Sequence, residues 1–133
     1  MIGNRVEGNL DLRSVDRGNG IHLSLVTNTE VRNNEVWFTR DGIYINASNH
    51  NKLLNNKLHD LRYGIHYMYS YHNEVIDNHA KNVKAGYALM QSKFLTVKNN
   101  ISIDTLDYGI LLNFITNSTL SNNRVYQARQ PLE

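Results

Sequence analysis

The chain has 133 residues, room for one domain, and its 14 Lys and Arg against 12 Asp and Glu leave a formal charge of +2. That balance is too small and too dispersed to indicate a nucleic-acid partner. The absence of cysteine excludes disulfides and thiolate metal sites, and no apolar run approaches the roughly 18 residues of a transmembrane segment. Asparagine is abundant, with 20 residues, which on its own suggests turns or disorder. Eight Tyr, three Phe, one Trp, many β-branched residues and a single proline (Pro131) argue instead for a packed chain.

Residues 1–19 read as an irregular coil, in which Val6 precedes Gly8-Asn9, standing where the closing polar pair of a unit would, followed by a bulging connection to Gly20. Met1 to Gly8 contains no apolar stretch of the signal-peptide kind, and the sequence reads as a segment of a longer β-helix. From Gly20 onward a period takes over. Gly20, Gly42, Gly64 and Gly86 are spaced by 22 residues, and Gly109 follows after 23. Apolar residues stand one and three positions after each glycine: Ile21 and Leu23, Ile43 and Ile45, Ile65 and Tyr67, Tyr87 and Leu89, Ile110 and Leu112. Eleven positions after each glycine comes Val31, Leu53, Val75, Val97 or Leu120. A polar pair then closes each unit: Asn33-Asn34, Asn55-Asn56, Asp77-Asn78, Asn99-Asn100 and Asn122-Asn123.

Apolar residues two apart share one face of a strand, and a single strand cannot bury that face alone. Stacking successive coils about 4.8 Å apart buries it continuously and pairs each backbone with its neighbours. The spacing therefore predicts an all-β, right-handed parallel β-helix. Its regular coils are 20–41, 42–63, 64–85, 86–108 and 109–126, with a tail over 127–133. A leucine-rich repeat has a similar period but requires helices, for which the segments between Asn and Gly are too short. Asn34, Asn56, Asn78, Asn100 and Asn123 are expected to stack as an amide ladder. Asparagine tolerates the left-handed backbone of a coil corner, and the coil-start glycine is expected to do the same. The extra residue before Gly109 is expected in a turn.

This register aims the second and fourth residues after each glycine outward. One exposed column is then His22, Tyr44, His66, Ala88 and Leu111; the other is Ser24, Asn46, Met68, Met90 and Asn113. His66, Met68 and Met90 share a patch on two adjacent rungs, a soft donor set suited to copper(I). Methionine also fills irregular packing gaps, so a packing or partner-contact role for Met68 and Met90 competes with ligation. His50 over His72 forms a further column, more simply read as a surface stack.

Parallel β-helices also handle polysaccharides, and the alternative reading is a carbohydrate-binding or polysaccharide-cleaving protein. Such an enzyme needs carboxylates gathered across neighbouring coils. Asp41 has Tyr63, Ala85 and Tyr108 as column mates, and Asp60 is followed by Asn82 and Asp104, so no catalytic pair emerges. The tyrosines could stack on sugars but equally well pack on one another.

Several segments carry a more specific likeness. Arg17-Gly-Asn-Gly-Ile-His-Leu23, Arg40-Asp-Gly-Ile-Tyr-Ile45, Leu61-Arg-Tyr-Gly-Ile-His-Tyr-Met-Tyr-Ser70, Gly86-Tyr-Ala-Leu-Met90 and Asp107-Tyr-Gly-Ile-Leu-Leu-Asn113 resemble the NosD family. The likeness runs from about Asn4 to Val125, nearly the whole chain. It implies a periplasmic, non-catalytic accessory protein in the assembly of the copper-sulfur centre of nitrous oxide reductase. The partners it implies are an ABC transporter (ATPase and membrane permease), a copper-delivery protein and the reductase itself. No metal ligands are carried over from the family, so His66, Met68 and Met90 rest on the column argument.

Overall fold

The computed structural model describes residues 1–126; the tail expected over 127–133 lies outside them. Two parallel sheets run along a solenoid. One stacks the three-residue strands Glu30–Arg32, Lys52–Leu54, Glu74–Ile76, Thr96–Lys98 and Thr119–Ser121. The other is eight-stranded and dominated by Lys57–Met68, His79–Lys93 and Ile101–Thr116. Neighbouring strands pair at the period of the repeat, so that Leu53 faces Val75 and Ile65 faces Tyr87. Among the described residues there is no α-helix, only a 3-10 turn at Ser14–Asp16, and no helix long and apolar enough to cross a membrane.

The inward columns are those of the sequence pattern. Ile21, Ile43, Ile65 and Tyr87 are buried, as are Leu23, Ile45, Tyr67 and Leu89, against Val31, Leu53, Val75 and Val97. Each such side chain contributes roughly 1.5–3 kcal/mol by leaving water. Tyr87 turns its hydroxyl onto the Ile101 carbonyl at 2.9 Å, and burial pushes its pKa well up.

The asparagine ladder is present and reaches one rung further than the pattern suggested. Asn78 Nδ2 donates to Asn100 Oδ1 and to the Leu53 carbonyl, both at 3.0 Å, while its Oδ1 accepts from the backbone N and Nδ2 of Asn56 at 2.9 Å. At the other end, Asn34 Oδ1 accepts from the backbone N and Nδ2 of Asn4. Gly3-Asn4, not Gly8-Asn9, is thus the polar pair of the first coil. Gly3, at φ 70°, takes the left-handed place that Asn33, Asn55, Asp77, Asn99 and Asn122 fill in the later coils. Thirty residues separate Asn4 from Asn34, against 22 between later rungs, and the excess forms a loop ahead of Gly20.

Two local expectations are corrected. The coil-start glycines do not adopt positive φ. Their column is glycine because the next coil passes too close: a Cβ on Gly42 would lie 2.5 Å from the Gly64 carbonyl oxygen, and one on Gly64 2.5 Å from that of Gly86. The extra residue near Gly109 sits not in a turn but inside the strand Ile101–Thr116, where the register shifts between Thr105 and Tyr108 as a β-bulge.

A serine column, not anticipated, supports the opposite corner. Ser70 Oγ accepts from the Ser48 backbone N at 3.1 Å and donates to the Met68 carbonyl at 2.9 Å, and Ser92 repeats the pattern on Ser70 and Met90.

Replacing Asn78 by Leu orphans the buried Asn56 N–H and removes one bond from the Leu53 carbonyl. An orphaned buried group costs roughly 1–3 kcal/mol, so the variant is expected to lose about that much in urea denaturation. An unchanged midpoint would contradict the ladder's role.

Candidate functional site

Met68 and Met90 are direct register partners on adjacent strands, flanked by Asn46 and Asn113 in the same column. Both are half-buried on the outer face, and the Ser70 and Ser92 hydroxyls fix their carbonyls. His66 stands two residues before Met68, its column mates being Tyr44 and Ala88. The three predicted donors therefore occupy two adjacent rungs of one sheet face.

His66 is held more firmly than a surface column implies. Its Nδ1 lies 3.1 Å from Asp41 Oδ2, and its ring packs at 5.0 Å from Tyr44 and edge-on at 5.2 Å from Tyr63. The Asp41 carboxylate, only 2% exposed, also receives Arg62 Nε at 2.9 Å and Nη2 at 2.8 Å. Burial alone would raise the Asp41 pKa; the bonds from His66 and Arg62 outweigh it and hold the carboxylate below its usual range. With Nδ1 turned to Asp41, Nε2 is the remaining ring nitrogen. That nitrogen is buried and has no hydrogen-bond partner among the described residues. An imidazole oriented by a carboxylate, with its other nitrogen free, is the arrangement in which histidine binds a metal. The donor set of one imidazole and two thioethers suits copper(I). No group of three or more His, Asp or Glu gathers as a metal cage among the described residues.

A second constellation involves carboxylates. His59 Nδ1 lies 2.7 Å from Asp60 Oδ2 and its Nε2 2.8 Å from Glu35 Oε2, while its ring stacks on Trp37 at 5.6 Å. The imidazole fills the space between the two acids, where a glycosidase would admit its substrate. Asp60 is bonded to Asn82 as well. His50 and His72 stack in parallel at 4.9 Å and continue onto Phe94 at 4.6 Å. Parallel rings aim their nitrogens side by side, so this column reads as a stack.

Comparison with known proteins adds to this geometry. A family profile described as "Periplasmic copper-binding protein (NosD)" matches residues 2–130. The chain belongs to the NosD family. Two curated relatives carry the name "Probable ABC transporter binding protein NosD". The one from Pseudomonas aeruginosa is 70% identical over 129 residues, 97% of this chain and 30% of the relative. The one from Stutzerimonas stutzeri is 70% identical over 125 residues, 94% of this chain and 29% of the relative. The chain thus spans under a third of the length of these NosD proteins.

The Asp41–Arg62–His66 network was the part of this candidate site that sequence reasoning missed. Its signal was Asp41 itself, a lone acid in a column otherwise made of Tyr63, Ala85 and Tyr108. An unpaired carboxylate in such a column is too costly to bury, so a cation had to lie nearby.

The His59 cluster makes stability depend on pH. Burial opposes the imidazolium, but the bonds to Asp60 and Glu35 outweigh it and raise the His59 pKa. The His59 bond lowers Glu35; in Asp60 burial opposes ionisation, but the bonds from His59 and Asn82 together outweigh it and lower its pKa. A raised histidine stabilises fully below its ordinary value of about 6.5 and loses that contribution as pH rises through the folded value. The lowered acids stabilise above their ordinary values and lose that contribution on acidification. The His59 contribution to the melting temperature is therefore expected to decline as pH rises above about 6.5, and His59→Gln to flatten that decline. Parallel profiles for the two proteins would show that His59 does not couple to folding.

Proposed function

We propose that the chain is part of a periplasmic accessory protein that helps assemble the copper-sulfur centre of nitrous oxide reductase. In this reading it works with an ABC transporter and a copper-delivery protein, as a binding protein and not an enzyme. Its own contribution is a copper(I) contact face formed by His66, Met68 and Met90, with copper as cargo passed between partners. Membership of the NosD family supports the setting, and the relatives' names support association with a transporter.

The observation that carries the copper part is the pairing of Met68 with Met90 beside an imidazole whose Nε2 is free and whose Nδ1 is held by Asp41. Copper(I) favours soft neutral donors, and flexible thioethers on rungs about 4.8 Å apart can converge on one ion. A site of two half-buried thioethers and one nitrogen beneath them leaves a coordination position for a donor from a partner, which suits transfer. The adjoining corner exposes Tyr69 and Phe114, side chains of the kind that anchor protein contacts. The carbohydrate reading gains nothing from Glu35 and Asp60, because His59 occupies the space between them.

Competition titration of the reduced protein against a chromogenic copper(I) chelator tests the face. Met68→Leu with Met90→Leu keeps side-chain volume and should leave the fold intact. The double variant is expected to bind copper(I) at least about tenfold more weakly, which corresponds to 1.4 kcal/mol. His66→Phe, which leaves Asp41 on Arg62, is expected to weaken binding as well. Equal affinities for wild type and double variant would remove the methionines from the site.

A further inference from the structure

The two departures from the 22-residue period meet at one place. The insertion ahead of Gly20 arches over the outer face of the long-strand sheet, and the β-bulge between Thr105 and Tyr108 lies on the same face several rungs away. Between them runs a groove of about 420 Å³, with Leu10, Ser14 and Arg17 from the insertion on one side and Leu106 from the bulge at the far end. A third irregularity lies in the same groove: Phe38, a bulky residue at φ 61°, occupies the corner column filled elsewhere by Asp60, Asn82 and Asp104. Insertions in solenoids collect on the binding face, and bulges and strained residues concentrate at functional sites.

The chemistry of the lining selects an occupant. Arg17, Arg62 and Lys84 bring three cations to the groove, and Asp60 is its one acid. Asp60 is already engaged by His59 and Asn82. Arg17 uses Nε on the Leu12 carbonyl and makes no ion pair among the described residues, and the exposed Lys84 reaches Asp107 only at 3.8 Å. Arg62 spends Nε and Nη2 on Asp41, which leaves Nη1 free to donate. Leu61 and Val83 at the bottom belong to the buried core, so beside the ring of Phe38 the apolar surface the groove offers is the exposed Leu10 and Leu106 at its two sides. Exposed aliphatic side chains flanking cations accept the alternating side chains of an extended acidic peptide.

We propose that this groove is a docking site for an extended acidic peptide segment of a partner protein, its carboxylates on Arg17, Arg62 and Lys84 and its apolar side chains on Leu10 and Leu106. The site is separate from the Met68–Met90 pair and does not depend on copper binding.

Fluorescence anisotropy on the full chain with a fluorescein-labelled Glu-Leu-Glu-Leu-Glu-Leu peptide tests the assignment, with the glutamine-for-glutamate peptide as control and unlabelled trigalacturonate as a competing sugar acid. The glutamate peptide is expected to bind at low salt, to weaken as ionic strength rises, and to resist displacement by trigalacturonate. Arg17→Gln with Lys84→Gln is expected to weaken it at least fivefold. Leu106→Asp, a change at an exposed position that adds a negative charge to the groove's end, is expected to weaken it too. Equal binding of the glutamine peptide, or unchanged binding in both variants with wild-type melting, would overturn the proposal. Tight trigalacturonate binding with no peptide binding would overturn it in favour of a sugar-acid site.

Discussion

From Asn34 to Asn100, one buried asparagine side chain in each coil completes the hydrogen bonding of two neighbouring coils. Asn56 Nδ2 reaches the Val31 carbonyl and Asn78 Oδ1, and Asn78 and Asn100 repeat the pattern one rung on. The amide is the side chain whose donor and acceptor can serve backbone on both sides at this short reach. Because the bonds link equivalent residues, a coil of different length cannot slip in register without breaking several at once. The inward apolar columns, the glycine column and the outward columns all inherit their alignment from this ladder.

The same constraint explains how the chain turns. Four columns of each coil carry left-handed residues, as at Tyr69, His72, Asp77 and Asn82 in one circuit. Where the column is Asn or Asp the conformation costs little. Phe38, Tyr69, Phe94 and Phe114 hold it at positions where a bulky residue is disfavoured by about 1 kcal/mol or more, and three of them are exposed, so burial within the chain does not offset the cost. The Tyr69 and Phe114 corner adjoins the methionine column, Phe94 continues the His50–His72 stack, and Phe38 lies in the basic groove.

Much of this architecture was legible because it is periodic. The inward columns and the ladder from Asn34 to Asn123 follow from spacing alone, since a 22-residue repeat with apolar residues two apart has few ways to bury itself. The outward placement of Met68 and Met90 follows from the same alternation. What the period could not express was context. The glycine column was read as conformational freedom, yet its cause is a carbonyl one coil away, a contact that exists only after stacking. Gly3-Asn4 was overlooked because the long insertion moved it out of phase with the later pairs. The Asp41–Arg62 bond joins residues from adjacent coils, and the column assignment compared like positions only.

The buried Asp41 is the feature that stability does least to explain. Burying an ion pair in an otherwise neutral interior is at best a small gain, because desolvation of both charges cancels much of their attraction. Apolar residues of equal size would serve the coil as well. What the carboxylate supplies is direction: it accepts from His66 Nδ1 and from two nitrogens of Arg62, which fixes the ring plane and leaves Nε2 the free donor. In the proposed copper face this makes His66 the rigid member and the two methionines the adaptable ones. A cargo site gains from that division. The fixed nitrogen defines where the ion sits, while the thioethers follow it as a partner's donor takes over.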